Sequence, residues 1–567
     1  MIKKFYLPLL MAVMFVFTSC SNKMGELSSE YFTCTPEVLE AVGGQVPATI
    51  NGTFPEKYFK KKAVVTVTPV LKWDGGEAKG TPATFQGEKV QGNDQTISYK
   101  MGGNYTMKTT FNYVPEMAKS ELYLEFDAKI GNKEVNIPAV KIADGVIATS
   151  ELVKNTLGNA NLTNAEDAYQ RIIKQNKEAN IMFLIQQANI RASETNSDII
   201  KEFNKMVADV DADKKGKAIE NIEVSAYASP DGGVSLNEKL AGQREDNAAK
   251  YVNKQLKKAK VNATVDSKYT AQDWEGFQEL VSKSNIQDKD LILRVLSMYQ
   301  DPEQRETEIK NISSVYKDLA DDILPKLRRA RLTLNYQLIG RSDDEILADY
   351  KSNPKDLSIE ELLYAATLVN TDAEKEAIYK KAAELYPNDY RAYNNLGELA
   401  YKAGKMDTAE SYFKKALSLN SSSNEANTNM GLVSLVNGQK ANAESYLAKG
   451  SGSENINEAL GNYYIAAGQY EKAVNAFGDT KTNSAALAQI LTKDYNKAKS
   501  TLSSVKNADA YTDYLSAIIG ARTNNTSMVV SGLKSAISKD SSIAKKASTD
   551  VEFSKYLTDA AVSALLK

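Results

Sequence analysis

The sequence of 567 residues contains no histidine and only two cysteines, Cys20 and Cys34. Histidine is the commonest general base and the commonest zinc ligand, so its absence excludes Ser-His-Asp and Cys-His catalytic arrangements. Two cysteines form neither a disulfide framework nor a thiolate metal cluster. The chain also lacks a phosphate-binding Gly-x-x-x-x-Gly-Lys loop and a Gly-x-Ser-x-Gly turn. We therefore expect no catalytic residues, no metal site and no cofactor, and the chain is predicted not to be an enzyme.

An excess of charge of one sign is also missing. The 70 basic and 72 acidic residues give a net charge of −2. Nucleic-acid binding needs clustered Lys and Arg to neutralise phosphates, so the balance argues against a nucleic-acid partner. Acidic pairs such as Asp321-Asp322 and Asp343-Asp344 are neighbours in sequence. Adjacent residues of a helix point about 100° apart, so these pairs are typical of solvated faces rather than of a catalytic dyad.

Long apolar runs are confined to the start of the chain. The first twenty residues, "MIKKFYLPLLMAVMFVFTSC", have two lysines, an apolar run from Phe5 to Phe17 and then small residues. This pattern predicts a secretory signal peptide over residues 1–20, because the run is too short to span a membrane. Its end resembles the lipobox of Bacteroidota lipoproteins. The resemblance implies that Cys20 carries acyl chains such as palmitate, and that the protein is anchored in the outer membrane. Ser21, Asn22 and Lys23 follow without an acidic residue, which favours the periplasmic face.

Residues 21–148 alternate β-branched or aromatic residues with polar ones. The stretches 63–73, 95–101 and 120–130 are predicted strands, and glycine pairs such as Gly102-Gly103 mark turns between them. Short alternating strands with frequent turns indicate a β-sandwich-like domain. Cys34 lies alone in this region, where a small packed residue is the expected role.

Residues 149–345 are predicted to form one α/β domain. Strands are expected at 180–191, 219–229 and 328–340, and helices at 197–210, 237–257, 274–283 and 306–324. The order of these elements, the motif Asn237, Leu240 and Arg244, and the stretch "RRARLTL" resemble the C-terminal domain of the OmpA family. Many members of that family bind peptidoglycan.

The resemblance implies a site for the charged end of diaminopimelate, formed by an Asp eight residues before the motif Asn and by the motif Arg. A zwitterion needs both a carboxylate and a guanidinium. This sequence has Ser229 at the Asp position, and Asp231 follows two residues later. Asp231 and Arg244 are therefore the candidate peptidoglycan-binding residues. The alternative is a retained scaffold in which Arg244 only fastens a loop. Under that interpretation, Ser229→Asp is expected to restore binding.

Residues 346–567 repeat with a period of about 34 residues. One unit carries Gly397, Ala409 and Phe413, and the next carries Gly431, Ala443 and Leu447. The pattern resembles the tetratricopeptide repeat and predicts an all-α solenoid. Gly397 and Ala409 are expected where the two helices of a hairpin approach closely, and Phe413 and Tyr393 between hairpins.

The concave face of such a solenoid is lined by the first helix of each pair. Alignment of three units predicts nine groove residues: Asn394, Glu398, Tyr401, Thr428, Leu432, Leu435, Glu458, Asn462 and Ile465. These side chains are uncharged to mildly acidic, with an apolar centre, and suit an apolar or amide-rich segment of another protein. The alternative occupant is the chain's own C-terminal stretch, residues 549–566.

Together, these features predict a multidomain, lipid-anchored envelope scaffold that binds other envelope proteins through its helical groove. Its expected work is to organise an outer-membrane assembly or secretion complex. Two other functions remain open from the sequence. One is a peptidoglycan tether acting through the OmpA-like domain, and the other is a surface-exposed lipoprotein that captures nutrients.

Overall fold

The computed structural model describes residues 24–567, so the predicted signal peptide and Cys20 lie outside the described residues. The chain forms two compact units. The discontinuous unit runs to Glu166 and again from Thr371 to Lys567, and the middle unit comprises Asp167–Asn370. The division differs from the predicted boundaries. Residues 149–166 belong with the helical repeats, and residues 346–370 belong with the α/β region.

The N-terminal part of the discontinuous unit is built from ten strands. They are β1 (Phe32–Thr35), β2 (Val38–Glu40), β3 (Gln45–Phe54), β4 (Ala63–Trp73), β5 (Gly76–Lys79), β6 (Ala83–Gly87), β7 (Gln95–Ile97), β8 (Gly103–Asn112), β9 (Ser120–Ile130) and β10 (Lys133–Ile147). One sheet has the order β1-β3-β8. The other has the order β2-β10-β9-β4-β6-β7, with β5 paired to β4. Alternate residues of β3 and β4 point into one hydrophobic core that the two sheets share.

Cys34 lies in β1 and packs beside this core. Burial raises the pKa of its thiol to about 11, so the thiol stays protonated and unreactive at neutral pH.

Three very short elements follow β10 within residues 149–166, which we call the strap. They are a 3-10 turn (Thr149–Leu152), helix α1 (Val153–Thr156) and a second 3-10 turn (Leu157–Asn159). Residues 160–166 have no regular secondary structure.

The middle unit contains one four-stranded sheet and ten helices among the described residues. Its elements are β11 (Ile172–Met182), α2 (Ala192–Thr195), α3 (Asp198–Ala212), β12 (Lys217–Tyr227), α4 (Val234–Ala259), β13 (Val265–Thr270), α5 (Trp274–Ser282), α6 (Lys289–Met298), α7 (Pro302–Asn311), α8 (Ser313–Asp318), α9 (Leu324–Leu327), β14 (Arg329–Ile339), α10 (Asp343–Ser352) and α11 (Ile359–Ala365). The strand order is β11-β14-β12-β13, and only the β12–β13 pair is parallel.

The first strand of this sheet lies upstream of its predicted position. Residues 180–191 were expected to be a strand, but β11 ends at Met182. Most side chains of β11 are polar and exposed because it is an edge strand, paired only with β14. Its sequence therefore lacks the apolar alternation on which the prediction relied. The long predicted helix at 306–324 is broken into α7, α8 and a π-helical turn, Leu319–Ile323.

Helices α10 and α11 stay with the middle unit because polar contacts fasten them to it. Arg341 pairs with Asp349 of α10 at 2.9 Å and with Glu361 of α11 at 2.9 Å. The rings of Tyr169 and Tyr364 lie 4.7 Å apart between centroids.

The C-terminal part of the discontinuous unit is a stack of antiparallel helices. They are α12 (Asp372–Leu385), α13 (Tyr390–Lys402), α14 (Met406–Leu419), α15 (Asn424–Val436), α16 (Lys440–Lys449), α17 (Ile456–Ala466), α18 (Tyr470–Phe477), α19 (Asn483–Leu491), α20 (Tyr495–Leu502), α21 (Ala510–Arg522), α22 (Thr526–Lys539), α23 (Ser542–Thr549) and α24 (Ala560–Leu565). In residues 24–567, no helix combines the length and the apolar character that crossing a membrane requires.

Close approach within each helical hairpin depends on glycine. A Cβ atom on Gly397 would lie 2.5 Å from the ring of Phe413, and one on Gly431 would lie 2.6 Å from Leu447. Phe413 therefore packs against Gly397 inside the α13–α14 hairpin, and not between hairpins as predicted.

Ala409→Leu should destabilise this hairpin. Ala409 is fully buried in α14, and overpacking a close contact typically costs about 1–3 kcal/mol. Ser411→Leu, on the exposed side of the same helix, is the matched control and should have little effect. Chemical denaturation measures both variants, and equal midpoints would contradict the assigned contact.

Candidate functional site

The nine predicted groove residues lie on the first helices of three consecutive hairpins, α13, α15 and α17. All nine are buried, with exposed fractions between 0% and 8%. They are Asn394, Glu398, Tyr401, Thr428, Leu432, Leu435, Glu458, Asn462 and Ile465. An open groove would leave such side chains exposed to water. The groove is instead occupied by the strap.

The apolar residues of the strap belong to the core of the helical array. Leu152, Val153, Leu157 and Leu162 are each at most 5% exposed and share one hydrophobic cluster with the helices. Leu432, Leu435 and Ile465 are members of the same cluster. The apolar centre predicted for the groove therefore contacts residues of this chain.

An asparagine of α15 binds both backbone groups of one strap residue. The N–H of Thr163 donates to Asn429 Oδ1 at 2.8 Å, and Asn429 Nδ2 donates to the Thr163 carbonyl at 2.8 Å. A primary amide presents a donor and an acceptor side by side, so it matches the peptide group of an extended chain. The contact does not involve the Thr163 side chain.

The same arrangement recurs one hairpin earlier. The N–H of Ala165 donates to Asn395 Oδ1 at 2.8 Å, and Asn395 Nδ2 donates to the Ala165 carbonyl at 3.0 Å. Asn394 links the two contacts, because its Nδ2 donates to the Thr163 carbonyl at 3.0 Å and to Asn395 Oδ1 at 3.1 Å, and its Oδ1 accepts from Asn429. The three asparagines, which we call the asparagine ladder, bind backbone groups of the strap and not its side chains.

The two carboxylates of the groove bind amides of the strap. Glu458 accepts from the backbone N–H of Asn161 at 3.1 Å and from its Nδ2 at 2.8 Å. Burial raises the pKa of Glu458, and these two hydrogen bonds oppose the rise. Glu398 accepts from Asn164 Nδ2 at 2.7 Å and pairs with Lys402 at 2.5 Å.

The remaining predicted residues differ in role. The hydroxyl of Tyr401 donates to the Leu157 carbonyl at 2.7 Å, and burial raises the pKa of that hydroxyl. Thr428 faces the end of its own hairpin, where it bonds Gly450 and Ser453. Asn462 Nδ2 donates to the Glu458 carbonyl of its own helix at 3.0 Å.

Two central residues, Asn395 and Asn429, are absent from the predicted set. A signal for them exists in the sequence, because each lies two residues before the close-contact glycine of its repeat, Gly397 or Gly431. The occupant also differs from the predicted alternative. Residues 549–566 pack at the end of the array, where Tyr514 donates to Asp550 at 2.6 Å.

A polar cavity of about 530 Å³ borders the strap at residues 158–161. Its other walls include three lysines, Lys402, Lys481 and Lys506. The middle of the strap can therefore be approached from solvent.

In the middle unit, Arg244 is 1% exposed and fastens loops. Its guanidinium donates to the carbonyls of Gln187 at 3.0 Å, Tyr227 at 2.8 Å and Leu184 at 3.3 Å, and lies 5.1 Å from the centroid of the Phe183 ring. Burial, followed by the nearby charge of Arg328, lowers the pKa of Arg244 to about 10. Its donors are directed at backbone and not at an open site.

Asp231 is engaged as well. Its carboxylate accepts from the Ser229 hydroxyl and pairs with Arg328 at 2.9 Å. Asn237 holds the same turn by donating to the carbonyls of Ser229 at 2.9 Å and Gly232 at 2.8 Å. Pro230 and Asp231 line a cavity of only about 10 Å³ together with Trp274 and Phe277 of α5. The structure therefore does not bring Asp231 and Arg244 together at an accessible surface.

We expect residues 24–567 not to sediment with purified peptidoglycan, and we expect Ser229→Asp not to create binding. The reason is that Arg244 has no donor directed outward. Arg244→Met should instead destabilise the middle unit by about 3 kcal/mol, because it leaves buried carbonyls unpaired. Sedimentation that is lost in a folded Arg244→Met variant would contradict this expectation.

Comparison with known proteins supports the helical repeats. The family model for the tetratricopeptide repeat matches residues 390–423, which contain α13 and α14. No curated protein matches the chain. Among solved structures, a tetratricopeptide repeat protein from Parabacteroides merdae is 14% identical, with 40% of this chain and 89% of that chain covered and a TM-score of 0.28.

Two further solved structures are similar to part of this chain. PilF of Pseudomonas aeruginosa is 14% identical, with 35% of this chain and 93% of that chain covered and a TM-score of 0.26. YrrB, described as a TPR protein with an unusual peptide-binding site, is 19% identical, with coverages of 35% and 94% and a TM-score of 0.20. All three TM-scores are below 0.5, so no property of these proteins is transferred to this chain. The chain contains tetratricopeptide repeats, which imply a scaffold for protein–protein interaction.

Proposed function

We propose that this chain is a lipid-anchored envelope scaffold that binds other proteins and organises an outer-membrane assembly or secretion complex. The observation that carries the proposal is the asparagine ladder. The helical array holds an extended peptide segment through its backbone, with paired contacts at Thr163 and Ala165. Peptide-holding chemistry is therefore present in the array, although its occupant is the strap.

The sequence supports the envelope location. Residues 1–20 have the pattern of a signal peptide and end at Cys20, which is the predicted site of lipidation. Several acyl chains on one residue would anchor the protein stably, because each buried methylene contributes roughly 0.8 kcal/mol.

Fractionation of the bacterium that produces this protein tests the anchor. Cys20→Ala should leave the protein unprocessed or move it out of the outer-membrane fraction. Cys34→Ala is the matched control, because Cys34 packs beside the β core, and this variant should remain in the membrane. Equal distribution of the two variants would contradict lipidation at Cys20.

Cross-linking of the anchored protein tests the scaffold role. Lysine-reactive cross-linking in intact cells, followed by purification and mass spectrometry, should give reproducible cross-links from the helical array to a small set of envelope proteins. Lysines exposed beside the groove, such as Lys402 and Lys481, are the reporters. Recovery of the chain without any cross-linked envelope protein would contradict the proposal.

A further inference from the structure

In the part of the chain that the structure describes, some buried polar atoms of the groove have no hydrogen-bond partner when the strap is bound. Asn462 and Gln489 lie on α17 and α19, and both are at most 1% exposed. Among the described residues, Asn462 Oδ1 and Gln489 Oε1 have no hydrogen-bond partner, and neither does the strap's own Thr163 Oγ1. Buried polar atoms without partners cost free energy, so a segment that donated hydrogen bonds to them would bind more tightly than the strap does.

The two unpaired acceptors on α17 and α19 belong to helices that contact the helical part of the strap. Helix α1 and its preceding 3-10 turn contact both α17 and α19, and Asn161 contacts α17 through Glu458. In a helical turn, backbone N–H groups donate within the turn, as Leu157 does to Val153. They are therefore not available to Asn462 or Gln489. A segment that stays extended along the whole groove would present its N–H groups to both acceptors.

We infer that the strap is an exchangeable internal ligand, and that the groove takes an extended segment of a partner protein in its place. This inference rests on the proposed function. The asparagine ladder and Tyr401 bind strap backbone, so the partner residues opposite Asn395 and Asn429 need only be small, as Thr163 and Ala165 are. An amide residue opposite Glu458 and leucines at the apolar centre complete the match, as Asn161, Leu157 and Leu162 do in the strap.

The cavity beside residues 158–161 gives a competing segment a place to enter. Exchange can begin there, because the cavity already separates part of the strap from the walls that carry Lys402, Lys481 and Lys506. The segment would then replace the Asn161–Glu458 contact and proceed to the ladder.

Hydrogen exchange of residues 24–567 tests whether the strap opens locally. The amides of Thr163 and Ala165 are bonded only to side chains of the groove, so their exchange reports strap release. We expect them to exchange at least tenfold faster than the buried helical amides of α13. Exchange at the same rate as those core amides would overturn the inference, because the strap would then leave only on global unfolding.

Peptide binding tests exchange directly. The probe is a fluorescent peptide of residues 153–166, VKNTLGNANLTNAE, added to residues 24–567. A chain with Leu157→Asp and Leu162→Asp in its own strap should bind the probe at least tenfold more tightly than the unmodified chain. Equal or absent binding by both chains, with the helical array folded by circular dichroism, would overturn the inference.

Two modified peptides identify the binding mode. N-methylation at Thr163 and Ala165 removes the donors to Asn429 and Asn395 and should reduce binding at least tenfold. N-methylation at Asn164 is the matched control and should be tolerated, because no hydrogen bond of that N–H is observed in the described structure. Equal losses would contradict backbone recognition. If the strap does not open or exchange but envelope proteins are cross-linked to the array, the exchange inference is refuted and the proposed scaffold function stands. If the strap exchanges but no envelope protein is cross-linked, the proposed scaffold function is refuted.

Discussion

Replacing Asn395 and Asn429 together by alanine will free the strap from the groove and make the chain cleavable by trypsin after Lys154. The double change removes both acceptors of the Thr163 and Ala165 N–H groups and, within residues 24–567, the only observed donor to the Ala165 carbonyl. A buried backbone group without a partner costs about 1–3 kcal/mol. Three such groups cost at least about 3 kcal/mol, so the free energy that holds the strap in the groove falls by at least that amount.

Limited proteolysis measures this result, because Lys154 is the only basic residue between 149 and 166. The helical array itself should survive, since contacts inside its hairpins, such as that of Phe413 with Gly397, do not involve the strap. Asn437→Ala with Asn442→Ala is the matched control, because both amides lie outside the groove on the same array. Resistance of the Asn395 and Asn429 variant to trypsin, equal to that of the control, would show that the ladder does not hold the strap.

Patterns of apolar and small residues that are close in sequence predict most of the strands and helices. The predicted strands at 63–73 and 120–130 have the observed bounds of β4 and β9, because the first six residues of both strands alternate between buried and partly buried. The helical repeats were predicted from the spacing of Gly397, Ala409 and Phe413, which reflects a packing constraint inside each hairpin. These features depend on residues that are close in sequence.

The strap could not be predicted in this way. Its contacts join residues that are far apart, such as Thr163 and Asn429, and its short helical turns carry no periodic signal. The composition of the groove nevertheless indicated the kind of segment it holds, which is apolar and rich in amides. What the sequence did not reveal is that the segment belongs to the same chain.

The motif Asn237, Leu240 and Arg244 of the middle unit was recognised from the sequence, but the role of its residues was not. Asn237 and Arg244 follow the spacing of a family with a ligand site, but both side chains bind backbone carbonyls here. Spacing alone does not distinguish a residue that fastens a loop from one that binds a ligand. The two roles differ in where the N–H donors of the side chain point, and only the folded structure shows that direction.

Among single substitutions in the helical array, we expect Arg522→Met to cause the largest decrease in the free energy of unfolding. Arg522 is paired with Glu552 through its Nε at 2.9 Å and its Nη2 at 2.5 Å, and the two side chains are 13% and 4% exposed. Burial disfavours the charge of Arg522, but the hydrogen bonds and charge of Glu552 outweigh it, so the pKa of Arg522 is raised. Glu552 also accepts from Thr149, so the pair joins the C-terminal residues to the start of the strap.

Removing one partner of a buried ion pair typically costs about 3–5 kcal/mol, because the other charge remains buried without compensation. Chemical denaturation of Arg522→Met should show a loss in this range. Lys414→Met is the control, because the Lys414–Glu410 pair has side chains that are 61% and 23% exposed, and such helix pairs contribute only about 0.3–0.5 kcal/mol. Adding Glu552→Leu to Arg522→Met should recover much of the loss, since two apolar side chains leave no unpaired charge. A double variant as unstable as Arg522→Met alone would mean that packing around Arg522, and not its charge, accounts for the effect.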